Sequence, residues 1–514
     1  MFYRYAIHIR HGLGIAWNPD GIKTYGETSL LWGFIVFLAS YLPLQASHLL
    51  SLASSISTVG AMAAMATAIS KNARSQVLRN RWIALGLISI PLCLSDAFIG
   101  NTRTGMETMF AFGLNASFCG ILFSWMKAPS LRRGVMLGSI ALLCFLTRPE
   151  SALATLLAVV LVATLCSKTD RLLFKILVVL GFLCGGIAVY LLICKVYFGH
   201  AVPLAFYVKS HGFYRGFATS RQPVERALDF FAACSGALTI LIWLTKRKHL
   251  RLVAGYVIPA LAVVAYLCTV KQIMGHHARY DLPYAPFLMF PAFIILDDFC
   301  MENVRVRFPH LLTRMWLSMA VLFVVGRALP AKLVEILDKV AERPDVAYSE
   351  AKRVVAADSP LPTLDWAKTW QNFTDDVVIN LPAGATVAAT EVGYMGAMAP
   401  NVQIIDLSGL NNQDVTMQGF HMEWLLKKRP DLVWLPFADY TYYRGQFFSS
   451  SRFLDEYAIF DGAMNYGIAV RKDSACYGSI MADLKRLWQK DYPGYQMEDY
   501  LVKSASWNGS RINR

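Results

Sequence analysis

Charged residues interrupt the apolar runs of this chain in a few short strings. Arg148 and Glu150 lie two residues apart in TRPES, between two apolar stretches. Arg103 and Glu107 flank the start of another apolar run in GNTRTGMET, and Arg279 precedes a third in ARYDLPYAP. Arginine suits phosphate because its planar guanidinium offers paired donors. A charge at membrane depth costs ~2.5–3.5 kcal/mol on insertion scales, so it needs a partner or a function.

Each of these side chains has a structural interpretation beside the functional one. Arg148 and Glu150 either form an ion pair at a helix break, or bind a lipid phosphate and orient it or a sugar hydroxyl. Glu107 either favours the dipole of a helix that begins there, or acts as a general base or sugar ligand. Arg103 is an exposed loop residue or a phosphate ligand, and Arg279 is a headgroup anchor or a ligand of the same phosphate.

Further polar residues extend the candidate site. Lys209 and His211 lie in the string YFGHAVPLAFYVKSHG, and either belong to the same anion pocket or anchor the chain at the membrane interface. His277 and Tyr280 lie beside Arg279 and are candidate substrate ligands. The adjacent histidines His276 and His277 point in different directions, so we expect no metal site here.

The composition indicates a membrane protein. The chain has 514 residues, of which 55% are hydrophobic and only 16% charged, against about 25% charged in soluble proteins. Because a helix needs ~20 apolar residues to cross a bilayer, we predict spans at residues 29–44, 48–70, 82–99, 105–126, 134–146, 151–166, 176–194, 227–245, 252–269, 282–297 and 311–329.

Charge in the loops predicts the orientation of these spans. Lys and Arg collect on the cytoplasmic side, which assigns the basic loops at 71–81, 127–133, 168–175 and 246–251 to the cytoplasm. The strings that carry the candidate residues then fall together on the opposite face, as does the chain after residue 330. The same rule explains the net charge of +14, so we expect no nucleic-acid partner. The side on which residues 1–27 lie stays open.

The polar part after residue 330 has the pattern of a small α/β domain. Short β-rich runs bounded by Gly, Pro, Asn and Asp alternate with helical stretches at 422–428 and 479–489. The β-rich runs cover residues 386–398, 401–411, 430–436 and 466–472. Asp406 and Asn411 in IDLSGLN are either ordinary turn formers or part of a loop that closes the membrane cavity or contacts the acceptor.

We therefore predict a mainly α-helical, polytopic integral membrane protein with about 10–12 transmembrane helices. Residues 1–330 form the transmembrane domain, and residues 331–514 form an extracytoplasmic α/β domain. Short spans on both sides of Arg148 and Glu150 are expected where a polar break is shielded by protein or lines a cavity.

Several strings together resemble a known class of enzyme. They are FYRYAIHIRHGLGIAWNPDGIKTYGETSLLW, TGMET, TRPE, YFGHAVPLAFYVKS, RYDLPYAPF and IDLSGLN, in this order. In order and spacing they resemble the GT-C class of integral-membrane glycosyltransferases. The most similar branch contains the polyprenyl-phosphate-dependent terminal arabinofuranosyltransferases and related lipopolysaccharide or cell-envelope proteins.

The resemblance implies an activity and its partners. A sugar passes from a polyprenyl-phosphate donor to an envelope glycan or lipid on the non-cytoplasmic face of the inner or plasma membrane, with inversion at the anomeric carbon. By position, Arg148 and Arg279 match the arginine-bearing motifs of the class, and Glu107 matches its TGMET acid. Some relatives use a divalent cation, but no ligand set in this sequence identifies one, and membrane lipids are the other expected partners.

One departure from the class affects the expected activity. Its members carry a membrane helix and an Asp pair just upstream of the RYA string, whereas Met1 here precedes Tyr3, Arg4 and Tyr5 directly. Three explanations account for the missing segment: a start codon assigned too late, a truncated gene, or an inactive form of the enzyme. The missing acid keeps a catalytically inactive homologue open. A transporter or flippase for a lipid-linked sugar is a second alternative, because it would also need arginines that face a cavity.

Overall fold

The computed structural model describes residues 1–166, 172–210, 221–270, 276–302, 361–362, 364–436 and 440–502. Two compact units share these residues. The helical unit comprises Thr28–Cys194 and Ala218–Ala341, and the sheet unit comprises Met1–Glu27, Lys195–Phe217 and Glu342–Arg514. The span predicted at 311–329 and the domain boundary predicted at 330/331 lie outside the described residues.

The described helices, in chain order, are α1 (Phe2–Arg10), α2 (Leu30–Ala39), α3 (Ala46–Asn72), α4 (Gln76–Arg79), α5 (Arg81–Cys93), α6 (Asp96–Asn101), α7 (Thr108–Lys127), α8 (Leu131–Thr147), α9 (Ser151–Cys166), α10 (Leu172–Phe198), α11 (Leu204–Ser210), α12 (Arg221–Ala233), α13 (Ser235–Leu244), α14 (Leu250–Cys268), α15 (Ala285–Glu302), α16 (Trp366–Phe373), α17 (Gly393–Met398), α18 (Gln413–Gln418), α19 (Met422–Lys428), α20 (Thr441–Ser449), α21 (Ser451–Glu456) and α22 (Tyr477–Asp491). The strands are β1 (Thr386–Ala389), β2 (Gln403–Asp406), β3 (Leu432–Trp434), β4 (Tyr457–Asp461) and β5 (Gly467–Arg471).

The helical unit confirms a mainly α-helical protein with several membrane spans. Within the described ranges, the helices long and apolar enough to cross a bilayer are Ala46–Asn72, Thr108–Lys127, Ile176–Phe198, Arg247–Cys268 and His276–Glu302. Helices α12 and α13 form a sixth candidate that bends by 66°. Other predicted spans are shorter helices. The run at 82–99, for example, is divided into α5 and α6, because Ser95 caps a new helix by accepting a hydrogen bond from Phe98 N–H.

Helices α3 and α7 pack closely along their length. A Cβ on Gly120 would lie 2.8 Å from the Ala68 Cβ, and one on Gly113 would lie 3.1 Å from the Ala61 Cα. Small residues allow such approach between membrane helices, where packing replaces the hydrophobic effect as the source of association. Asn72 adds a polar contact, since its Nδ2 donates to the Gly120 carbonyl at 3.3 Å. This contact fixes α7, which carries a candidate residue at its N-terminal end.

The sheet unit contains a five-stranded mixed sheet with the order β2-β1-β3-β5-β4. Strand β1 is parallel to β2 and β3, while β5 is antiparallel to β3 and β4. Each of the four predicted β-rich runs contains a strand, although residues 393–398 of the first run form α17 instead. Strand β4 was not predicted, because it follows α21 directly and no Gly, Pro or Asn marks its start.

The N-terminal arm, residues 1–27, belongs to the sheet unit. Arg4 of α1 is buried, and its Nη groups donate to the carbonyls of Ala399 at 2.8 Å and Val402 at 2.7 Å. Trp17 is also buried and donates from Nε1 to the Ile404 carbonyl at 3.1 Å. Burial lowers the pKa of Arg4 to about 9. The aromatic and basic residues of FYRYA thus form part of the packing of this unit.

The close approach of α3 and α7 gives a test of the helical unit. Gly120→Leu should lower the free energy of unfolding by about 1–3 kcal/mol, because the added side chain meets Ala68 backbone and Cβ atoms that cannot move away. Gly181→Leu is the matched control, since a Cβ there has no atom within 4 Å. The measurement is thermal unfolding of the purified protein in detergent. Equal melting of both variants would contradict the packing.

Candidate functional site

A proline creates the backbone break that carries Arg148. Helix α8 ends at Thr147 and α9 begins at Ser151, with Pro149 between them. The residue before a proline is forced out of the helical region, and Arg148 accordingly has φ −145° and ψ 111°. The TRPES string therefore turns Arg148 and Glu150 out of two consecutive apolar helices.

Two other segments meet at this break. Glu107 is the N-cap of α7 and follows a turn in which Gly105 has φ +73°, a conformation that favours glycine. Arg279 lies in the turn before α15, and this turn is held in place when Asn115 Nδ2 donates to the Pro283 carbonyl at 2.9 Å. The site is thus built from helix ends and turns of the helical unit.

Glu107 lies between two arginines. Arg148 Nη2 donates to Glu107 Oε1 at 2.7 Å, and Arg279 Nη2 donates to Glu107 Oε1 and Oε2 at 3.2 and 3.3 Å. Arg148 Nη1 also donates to Glu150 Oε1 at 2.9 Å. The side chains of Glu107 and Arg148 are each 3% exposed, that of Arg279 11% and that of Glu150 16%. These four residues form what we call the Glu107 cluster.

Tyr280 provides an aromatic face to both arginines. Its ring centroid lies 4.9 Å from Arg148 Cζ and 5.4 Å from Arg279 Cζ, within the distance at which a cation is attracted by the ring. The ring of Tyr280 therefore helps to hold two like charges at one carboxylate. Nearby, a hydrogen bond of 3.1 Å joins the hydroxyl oxygens of Tyr284 and Ser151.

The hydrogen bonds of the cluster separate the roles of its two acids. Two guanidiniums favour the ionised form of Glu107, so this carboxylate is suited to hold the arginines and poorly suited to accept a proton. Glu150 contacts one arginine and is the more exposed acid. The Nε atoms of Arg148 and Arg279 are buried, and neither has a hydrogen-bond partner among the described residues. Each arginine therefore has one N–H donor that no described residue satisfies.

The remaining predicted residues of the helical unit lie at its surface. Arg103 is exposed in the bend before α7. His277 is also exposed and has φ +56°, and Asn101 Nδ2 donates to its carbonyl at 2.8 Å. The structure describes no group of three His, Cys, Asp or Glu side chains that could hold a metal ion, within the ranges given above. His211 and the side chain of Lys209 lie outside the described residues.

Asp406 and Asn411 belong to one hydrogen-bonded loop in the sheet unit. Asp406 is buried at the end of β2 and accepts from Ser408 N–H at 2.9 Å, Asn411 N–H at 2.9 Å and Asn411 Nδ2 at 2.8 Å, as well as from the Ser408 hydroxyl. Tyr5 then donates from its hydroxyl to Asn411 Oδ1 at 2.9 Å. Burial raises the pKa of Asp406, although these donors favour its charged form. These hydrogen bonds fit the interpretation of Asp406 and Asn411 as turn-forming residues.

Asp281 and Glu27 are two of the buried acids that were not singled out from the sequence. Asp281 is fully buried beside Tyr280, and its position next to ARY inside an apolar stretch was the available signal. Glu27 is buried at the end of the N-terminal arm, and burial raises the pKa of its carboxyl to about 8. No periodicity or motif marked Glu27, because its burial depends on contacts distant in sequence.

Comparison of the chain with known proteins shows limited similarity. Residues 341–483 match a family described as a domain of unknown function (DUF8728). No curated protein matches the chain. Among solved structures, the chain is similar to ArnT from Cupriavidus metallidurans bound to undecaprenyl phosphate, with 11% sequence identity and a TM-score of 0.46. This match covers 78% of the present chain and 80% of ArnT.

The Asp406 loop predicts a large cost for one substitution. Asp406→Ala leaves buried N–H donors of Ser408 and Asn411 without an acceptor, so the free energy of unfolding should fall by about 2 kcal/mol or more. Asp455→Ala is the control, because Asp455 is exposed. Thermal unfolding of the full-length protein, followed by tryptophan fluorescence, measures both. An unchanged melting temperature for Asp406→Ala would refute the structural role of the loop.

Glu27 predicts a pH dependence of stability. The folded protein keeps the Glu27 proton between the ordinary pKa of 4.5 and about 8, whereas the unfolded chain releases it. The unfolded state then binds fewer protons, so the free energy of unfolding should fall as the pH rises through this window. Glu27→Gln should remove this part of the fall, as seen in melting temperatures at about pH 5.5 and about pH 9. Glu423→Gln, at an exposed carboxylate, should keep the wild-type slope, and an equal slope in all three proteins would contradict the prediction.

Proposed function

We propose that this chain is a membrane glycosyltransferase that uses a polyprenyl-phosphate sugar as donor and an envelope glycan or lipid as acceptor. One observation carries the proposal. The two arginines that match the motifs of the GT-C class share one buried carboxylate, and each retains a buried Nε–H without a partner among the described residues. A phosphate oxygen is the acceptor that such a pair of donors fits.

The proposed reaction is an inverting displacement. The acceptor hydroxyl oxygen attacks the anomeric carbon of the donor sugar, and a new C–O bond forms there. The bond between that carbon and the lipid phosphate oxygen breaks, and the phosphate leaves with the bonding electron pair. The hydroxyl proton passes to a carboxylate, for which Glu150 is our candidate because it is the more exposed acid of the cluster.

Arg148 and Arg279 act on the leaving group in this proposal. Donors fixed before the reaction stabilise charge that develops in the transition state, and the loss of one such donor typically lowers kcat about 10²–10³-fold. Glu107 is a positioning residue, since it holds both guanidiniums at one place. A general base typically raises the reaction rate about 10²–10⁴-fold. We assign a contribution of this size to Glu150.

The roles of Glu150 and Arg279 predict a loss of sugar transfer in variants of either residue. Glu150→Gln and Arg279→Gln should each lower sugar transfer from a polyprenyl-phosphate donor about 10²-fold or more in membranes. Glu150→Gln should melt close to the wild type, because Glu150 is the more exposed acid of the cluster. Arg279→Gln should melt at a lower temperature, because it removes one partner of the buried Glu107 carboxylate, so its transfer rate is measured under conditions where it remains folded. Glu302→Gln and Arg251→Gln, which change exposed residues elsewhere, should transfer at the wild-type rate.

The same experiment separates the other functions. Wild-type rates in both Glu150→Gln and Arg279→Gln would refute the proposed site. Absence of transfer by the wild-type protein, with movement of a labelled lipid-linked sugar across vesicles, would establish the transporter instead. Absence of both activities would identify an inactive homologue. Arg279→Lys serves as the conservative variant and should recover part of the rate by restoring the positive charge.

A further inference from the structure

A cleft lies between α3, α7 and α8, at the end of α7 away from Glu107. Its volume is about 1020 Å³, at the upper end of the range of ~300–1,000 Å³ typical of ligand sites. Its walls consist mostly of small or apolar side chains, among them Gly60, Ala64, Thr67, Ile121 and Met136. Four of these residues lie on α3 and α7, which are long and apolar enough to cross a bilayer, so the cleft has an apolar, membrane-embedded part.

Cations collect at one end of the cleft. Lys71 lies in the last turn of α3, and Arg132 and Arg133 lie in the first turn of α8. Arg133 is held in place, since its Nη1 donates to the Ala128 carbonyl at 2.7 Å. The N-terminus of α8 begins at the same end, where Ser130 also lines the cleft, and a helix N-terminus favours an anion. The described lining contains no Asp or Glu.

The two parts of the cleft match the two parts of a lipid. Lys71, Arg132 and Arg133 belong to the basic loops that the positive-inside rule assigns to the cytoplasm. An anionic headgroup at that surface would meet three positive charges, while its chain would lie along the small residues of α3 and α7. A free phosphate would use only the charged end, and basic pockets between membrane helices are a known mode of headgroup binding.

We propose that this cleft binds an anionic phospholipid of the cytoplasmic leaflet. The phosphate lies among Lys71, Arg132 and Arg133, and an acyl chain fills the apolar part beside Gly60 and Ala64. The site lies at the opposite end of α7 from the Glu107 cluster, so it is separate from the proposed transferase site. Because the lipid bridges α3 and α8 across α7, its binding should also raise the melting temperature of the protein.

The charged end is tested by replacing its three cations. Full-length protein in nanodiscs or detergent is titrated with fluorescent phosphatidylglycerol, with phosphatidylcholine and inorganic phosphate as comparison ligands. Lys71→Gln/Arg132→Gln/Arg133→Gln should weaken phosphatidylglycerol binding roughly a hundredfold, the loss of three charges that each strengthen it about fivefold. Arg81→Gln/Arg247→Gln/Arg251→Gln removes the same charge from exposed positions outside the cleft and should bind as the wild type does.

The apolar part is tested by filling it. A Cβ on Gly60 has no atom within 4 Å, so Gly60→Leu places a side chain in the cleft without displacing a neighbour. We expect weaker phosphatidylglycerol binding and a smaller rise in melting temperature on lipid addition. Gly86→Leu is the control, because Gly86 lies on α5, is equally unobstructed and does not line the cleft.

Each outcome decides the proposal. It holds if the triple variant and Gly60→Leu both lose phosphatidylglycerol binding while their controls keep it. Equal binding of phosphatidylcholine, or an equal loss in the control triple variant, would overturn it, since either result means binding without a specific site. Retention of binding by Gly60→Leu together with full competition by inorganic phosphate would identify an anion site without a lipid chain, and would also refute it.

Discussion

The arrangement of the helical unit depends on the carboxylate of Glu107 between two guanidiniums. Burying one charge without a partner costs several kcal/mol, and removing one member of a buried pair typically destabilises a protein by about 3–5 kcal/mol. Three segments must therefore meet at one point, namely the start of α7, the break after α8 and the turn before α15. The bond from Arg148 spans 41 residues of sequence and that from Arg279 spans 172, so the cluster constrains how these helices pack.

Helix α7 connects the two regions for which we propose functions. Glu107 stands at its N-terminal end, and Gly120, Ser124 and Ala128 line the cleft toward its C-terminal end. The close contact with α3 keeps this helix in one position, because glycine and alanine leave no side chain that could adapt to a shift. A rigid helix suits both proposals, since each needs charged groups held in place before a ligand arrives.

Two buried charges of the sheet unit are stabilised in another way. Asp406 and Arg4 have backbone and side-chain amides or carbonyls as partners rather than opposite charges. Hydrogen bonds of this kind stabilise an ionised group when several converge on it. They also join residues of the N-terminal arm to the region after residue 385, which explains why these distant parts of the sequence form one unit.

Local features of this protein could be predicted from the sequence alone. Apolar length indicated the membrane helices, and the spacing of Arg148 and Glu150 around Pro149 was sufficient to suggest an ion pair at a helix break. The β-rich runs indicated four of the five described strands. These features depend on neighbouring residues, whose geometry the chain fixes directly.

Which charged side chains contact each other depends on the tertiary structure. No spacing in the sequence indicates that Glu107 joins Arg148 and Arg279, that Arg103 and His277 stay at the surface, or that Glu27 and Asp281 are buried. Strand β4 was also not predicted, because its formation depends on pairing with β5. The physical reason is the same in each case. Long-range contacts depend on how whole helices and strands pack, and that packing is a property of many residues at once.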